Sequence, residues 1–223
     1  MDAHIRIEPW TDMSGRRLRR LEPDPLISVV PGCNGGAVTR TQYYTATTVD
    51  GYIATEDNSL RWLFEVEGAD GEASEGFGPF FSQVGAFAMG ATTYEWVREH
   101  ESAVMWRDAY GDTPCWVFTT RDLPSIEGAN LHFVRGDVRP VHRTMAEAAG
   151  GRNIWLVGGG ELVGAFADAG LLDELILSVA PVTLGAGAPL LPRVLTSKRL
   201  RLTSVRQSGQ FASLTYEVGP PAE

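Results

Sequence analysis

The sequence predicts a three-layer α/β domain on a mixed central sheet, and three observations carry the prediction. From Thr39 onward, short β-branched or apolar runs of strand length alternate with segments of helix length, the pattern of a sheet covered by crossover helices. Some of those runs, such as Ala86-Phe-Ala-Met89 and Ile154-Trp-Leu-Val157, are apolar throughout, as parallel strands buried on both faces should be. The chain then closes on two long runs, Arg199 to Ser208 and Phe211 to Val218, separated only by Gly209-Gln210. That spacing is an antiparallel hairpin, so the sheet must be mixed.

The elements follow in order. Residues 1–38 combine Pro9, Pro23, Pro25 and Pro31 with a Gly32-Cys-Asn-Gly-Gly36 run and no apolar period, which predicts an irregular extension. Thr41 to Val49 is β-branched and aromatic, a strand, and Asp50-Gly51 turns it into Tyr52-Ile-Ala54. Phe77 to Val84 reads as a short helix and Ala86 to Met89 as a buried strand. Thr92 to Glu101 reads as a helix with Thr92 or Thr93 as N-cap and Glu95 in its first turn. Trp116–Thr119 and Leu131–Val134 are strands, and Pro140 to Ala149 is a helix stopped by Gly150-Gly151. A strand from Asn153, a glycine turn, a helix and a strand over Glu174 to Val179 lead into the final hairpin. The domain is placed at 39–218, with 219–223 as a tail.

Composition bounds the function. With 43% hydrophobic and 21% charged residues, the chain is an ordinary globular one. Its net charge is −9, and six Arg oppose five acids in the first 40 residues, so the body is the acidic part. An acidic body excludes nucleic acid as a partner, because that affinity comes from Lys and Arg neutralising phosphates. The Arg16-Arg17-Leu18-Arg19-Arg20 cluster reads as a solvated tail. Cys33 and Cys115 form no disulfide framework, no run approaches the ~18 apolar residues of a membrane span, and no signal peptide is evident; a cytoplasmic location is expected. His4, His100, His132 and His142 have no metal-ligand spacing, so no metal is expected.

Three strand ends carry chemistry. Gly158-Gly-Gly-Glu-Leu-Val-Gly164 joins a buried strand to a helix; glycine there lets backbone approach a ligand, and free helix N–H groups suit a pyrophosphate. It is not a Rossmann fingerprint, because the last spacing is one residue too long and Asp173 and Glu174 come too early for the ribose contact. Met89-Gly-Ala-Thr-Thr-Tyr-Glu95 repeats the arrangement, and Thr119-Thr-Arg121 places two hydroxyls and a guanidinium where a phosphate monoester would fit.

Together with Thr45-Ala-Thr-Thr-Val-Asp-Gly-Tyr-Ile-Ala54, Gly170-Leu-Leu-Asp-Glu-Leu175 and Pro181-Val-Thr-Leu-Gly-Ala-Gly-Ala-Pro-Leu190, these motifs resemble the dihydrofolate-reductase-like superfamily. Within it they are most similar to the branch related to the reductase domain of bacterial riboflavin-biosynthesis deaminase-reductases. The resemblance implies an αβα domain that binds NADPH across the strand ends and reduces a small heterocyclic or imine-like substrate. It implies that Ala46 and Ile53 flank the nicotinamide, that Gly90, Thr92 and Thr93 meet the pyrophosphate and adenosine side, and that Thr120 and Arg121 hold the 2′-phosphate. Gly159, Gly160, Glu161 and Leu162 would hold the pyrophosphate. It also implies a homodimer, for which Val179-Ala-Pro-Val182 beside Leu190-Leu191 offers an apolar surface.

Two positions depart from the family pattern. Ala91 stands where an Arg often follows the helix-opening glycine, and Gly158 where riboflavin-pathway reductases resemble one another in an acid. Three readings therefore stay open: an NADPH-dependent reductase of unidentified substrate, a riboflavin-pathway reductase acting on a ribosylamino-pyrimidine, and a non-catalytic nucleotide-binding protein. Asp50, at the end of the first strand, is the candidate proton donor or else the first residue of an Asp-Gly turn. Asp57, Trp62 and Phe81 are candidates for the substrate pocket, with Phe64 and Phe80 beside them, or else for ordinary core. Residues 1–37 are expected to be dispensable, and Val38 would serve as a start if read from a GTG codon.

Overall fold

The computed structural model describes residues 39–67 and 76–221. The predicted irregular extension, Cys33 and the last two residues of the tail lie outside them. Eight strands form one sheet: β1 (Thr41–Thr48), β3 (Val84–Gly90), β4 (Cys115–Phe118), β5 (Leu131–Val134), β6 (Asn153–Gly158), β7 (Glu174–Ala180), β9 (Leu200–Ser208) and β10 (Phe211–Val218). Their order is β5-β4-β3-β6-β1-β7-β10-β9. The six on the β5 side run parallel, and β10 joins β7 and β9 antiparallel, so the sheet is mixed. β2 (Tyr52–Ala54) and β8 (Ala188–Pro189) make a separate two-stranded ribbon.

Side-chain alternation sorts the core into two layers. On β3, Ala86 and Ala88 face one layer while Phe87 and Met89 face the other; on β6, Ile154 and Leu156 are set against Trp155 in the same way. The first layer is closed by α5 (Val138–Ala149) and α6 (Gly160–Asp168), through Met145, Val163 and Phe166. The second is closed by α2 (Phe77–Ser82), α3 (Ala91–His100) and α4 (Ala103–Tyr110), through Phe77, Tyr94, Val97, Trp106 and Tyr110. A short helix α1 (Arg61–Phe64) sits over a third, smaller cluster.

Three boundaries differ from expectation. The N-cap of α3 is Gly90, in extended conformation, and neither Thr92 nor Thr93 caps it; strand turns into helix without an intervening loop, so both threonines fall inside the first turn. Pro140 does not start α5, which begins two residues earlier behind Asp137, whose carboxylate accepts from the Arg139 N–H at 3.0 Å. Proline is tolerated in that first turn because its missing N–H would have had no helical partner. Helix α4 stands where the sequence predicts no element, and Ser102 caps it by accepting from the Met105 N–H.

Candidate functional site

Helix α3 carries the chain from β3 to β4 on one face of the sheet, while α6 carries it from β6 past β1 to β7 on the other. Strands β3 and β6 are neighbours, so their carboxyl ends part in opposite directions and leave a crevice, the place where open α/β sheets bind ligands. Both helices open on it without a side-chain cap: Gly90 and Gly159 are their N-caps. A β-carbon on Gly90 would lie 3.6 Å from the Gly159 nitrogen, whereas one on Gly159 would meet nothing within 4 Å. The two glycine turns therefore touch, with open space above the second. First-turn N–H groups of Ala91, Thr92 and Thr93, and of Gly160, Glu161 and Leu162, have no helical partner and present a positive field to an anion.

The neighbouring glycines differ in kind. Gly158 adopts φ 135°, a conformation other residues rarely tolerate, and its peptide to Gly159 is cis. Gly160 is packed against the carbonyls of Pro189 and Leu190, with no room for a side chain. The Glu161 carboxylate points elsewhere: Arg193 donates to it at 2.9 Å and to Asp168 at 2.8 Å. What Glu161 offers the crevice is its main chain.

At the end of β4 the Thr119 hydroxyl accepts from the Arg121 N–H at 2.9 Å, a local turn that fixes where Arg121 departs. Its guanidinium is already engaged, both terminal nitrogens donating to the Glu95 carboxylate of α3 at 2.9 and 2.7 Å. Thr120 beside it is exposed. A cleft of about 270 Å³ lies here, lined by Thr119, Arg121, Asp122, Leu123, Phe133 and Arg135. Sequence reasoning missed the part of this wall supplied by Leu123, Phe133 and Arg135. The available signal was β5, whose Phe133 is left 39% exposed at a strand end, as an aromatic platform for a flat ring would be.

Around β1 the picture changes. Ala46 is half-buried and lies against the small cluster formed by Trp62, Val66, Ala180 and Phe211. Trp62 is 6% exposed and its indole N–H has no partner among the described residues. Ile53 lies half-buried on the β2–β8 ribbon. Phe81 belongs to the other layer, stacked on Phe77 and edge-on to Phe87, Tyr110 and Trp155. Asp57 is exposed and accepts from the Thr55 hydroxyl. Asp50 holds a loop: it accepts from the N–H groups of Leu184 at 3.0 Å and Gly185 at 2.7 Å and from the Thr48 hydroxyl at 2.6 Å. The Thr48 hydroxyl foremost, then the Gly185 N–H, hold its carboxyl below the usual carboxylate range. Among the described residues no His, Cys, Asp and Glu cluster could hold a metal ion, and no helix is long and apolar enough to cross a membrane.

A mixed sheet whose crossover helices leave to opposite faces between its third and fourth strands, with two bare helix N-termini and an arginine-bearing cleft at its carboxyl edge, defines an α/β domain of the dihydrofolate-reductase-like kind. The RibD C-terminal domain family matches residues 41–213, and the chain belongs to that family. It is 35% identical over 177 residues to the uncharacterized protein YwjB of Bacillus subtilis (strain 168), covering 79% of this chain and 97% of that one. Among solved structures, a putative riboflavin biosynthesis protein from Shewanella sp. PV-4 superposes with a TM-score of 0.68 at 22% identity, covering 81% of this chain and 99% of that one. Dihydrofolate reductase from Enterococcus faecalis, complexed with NADP(H), superposes with a TM-score of 0.52 at 14% identity, covering 80% and 96%. At those identities the two structures share the fold.

Proposed function

We propose that the protein is an NADPH-dependent reductase that delivers hydride to a small heterocyclic or imine-like substrate. The observation that carries this reading is the meeting of two uncapped helix N-termini across the β3–β6 crevice, with open space over Gly159. That geometry suits a pyrophosphate, and the Arg121 cleft next to it suits the adenosine end of the same ligand. When bound, NADPH supplies the hydride; the chain's part is binding, orientation and exclusion of water. In this reading the N–H groups at Gly90–Thr93 and Gly159–Leu162 hold the diphosphate, Thr120 and Arg121 the 2′-phosphate, and Ala46 and Ile53 the nicotinamide side. Trp62, in the cluster that Ala46 lies against, would help exclude water from that side.

A non-catalytic nucleotide-binding protein is the second reading, favoured by one observation: the candidate acid Asp50 is committed to the loop at Leu184–Gly185 and held ionised. The proton that must accompany hydride would then come from water or from the substrate itself. Oxidation of NADPH in the presence of pterins, flavin precursors or quinones separates the two readings.

If Thr120 and Arg121 read a 2′-phosphate, NADPH binds more tightly than NADH and Arg121→Ala erases the preference. One charge-assisted contact is worth ~1.5–3 kcal/mol, roughly ten- to hundredfold in affinity. Equal affinity of the unmutated protein for both nicotinamides defeats the assignment.

A further inference from the structure

The guanidinium that the cofactor reading needs is already claimed by the protein itself. Arg121 presents its two terminal nitrogens to the two oxygens of Glu95 at 2.9 and 2.7 Å, the fork-to-fork geometry in which Arg recognises a carboxylate or a phosphate. A 2′-phosphate approaching along that edge meets a carboxylate already in place. The second cation of the cleft, Arg135, is also paired, with Asp122 at 2.7 Å. The two pairs are unequal, since the Asp122 side chain is fully exposed at 100% whereas that of Glu95 is 29% exposed. Solvent screens the outer pair and lets it yield; Glu95, on α3 next to buried Tyr94, does not line the cleft itself but holds the guanidinium that does.

Counted with Glu95, which reaches the cleft through Arg121, two cations stand against two carboxylates around it, where a site built only for a dianionic phosphate would carry excess positive charge. A carboxylate is also a good acceptor for a ribose hydroxyl, the role an acid plays in sites that accept the unphosphorylated dinucleotide. We propose that Glu95 sets the cofactor selectivity of this cleft: it competes with the 2′-phosphate for the Arg121 fork and offers an acceptor to an unphosphorylated ribose, so that the protein uses both NADPH and NADH. The inference rests on the reading of this cleft as the adenosine end of the cofactor site. It places the native preference for the phosphorylated form near the lower end of the tenfold to hundredfold range that a free Arg121 would give.

The test uses the full chain and two fragments that report on the cleft without hydride chemistry, 2′,5′-ADP and 5′-AMP, titrated calorimetrically against the native protein, Glu95→Gln and Arg121→Ala. Glu95→Gln removes the charge and keeps the shape, and a melting curve verifies that the variant is folded. The expected result is a ratio of 2′,5′-ADP to 5′-AMP affinity that rises about tenfold in Glu95→Gln, equivalent to about 1.4 kcal/mol, and collapses in Arg121→Ala. A ratio that is unchanged or falls in Glu95→Gln, with 2′,5′-ADP still bound, overturns the inference and makes Glu95 an orienting partner of Arg121, leaving the cofactor site standing. Failure of both fragments to bind any of the three proteins overturns the assignment of the cleft itself.

Discussion

Glu101 carries a carboxyl whose chemistry departs from what its sequence position suggests. It ends α3 just before Ser102 caps α4, a place where an acid would ordinarily be solvated. Instead the Oε2 atom is buried with no hydrogen-bond partner among the described residues, and burial pushes the carboxyl up to about 7. The folded protein therefore keeps a proton that the unfolded chain gives up near its ordinary value of 4.5. Stability falls as pH rises through the interval from about 4.5 to about 7, because there the native state binds the extra proton. At about 1.4 kcal/mol per unit the full shift corresponds to roughly 3 kcal/mol. Glu101→Gln, which cannot ionise, should raise the melting temperature at pH 8 and change it little at pH 5. Parallel melting curves for the two proteins across that range would show that the carboxylate is solvated after all.

At the scale of the element, the informative contrast lies within the glycine turn. Three consecutive glycines were legible in the sequence as a turn that admits a ligand, but not which of them does so. Gly159 has φ −72° and ψ 179°, ordinary for any residue, and open space where a β-carbon would go. Gly160 is sealed by the Pro189 and Leu190 carbonyls. Gly159→Val should leave the melting temperature nearly unchanged and weaken NADPH binding tenfold or more, about 1.4 kcal/mol. Gly160→Ala should destabilise the fold. Lost stability in Gly159→Val with unaltered affinity in the folded fraction would mean the turn is only structural. The strands were legible because β-branched and apolar runs encode them locally. The α3 cap was not, because Thr92 and Thr93 have the right chemistry and only the tertiary junction decides that Gly90 takes the position. The loop partner of Asp50 and the carboxylate partner of Arg121 lie 134 and 26 residues away, and no local pattern announces them. The same distance effect separates Phe81, which packs in the second layer, from Trp62, which belongs to the small cluster that Ala46 lies against.

For the whole molecule, the sheet is wider than its cover. The first layer is closed by α5 and α6, yet the β10–β9 edge continues past them with Leu202 51% and Val205 62% exposed. Three residues apart on one strand, these side chains would normally point to opposite faces. The register shifts at Thr215/Tyr216, so that Val205 pairs with Leu214 and Leu202 with Tyr216, both of which belong to the first layer. The bulge thus turns both exposed side chains to the same face, as bulges re-aim side chains elsewhere. The apolar surface expected at Val179–Val182 is less available: Ala180 is fully buried and Val182 packs in the cluster around Trp62. A homodimer, which the sequence resemblance implies, would find its apolar surface on the Leu202–Val205 face, self-complementary about a two-fold axis. Light scattering should report a dimer at micromolar concentration. Val205→Glu, at a site already exposed in the monomer, should shift it to monomer with an intact far-ultraviolet spectrum. A native protein that scatters as a monomer would end the proposal, and a Val205→Glu protein that stays dimeric would move the interface elsewhere on the molecule.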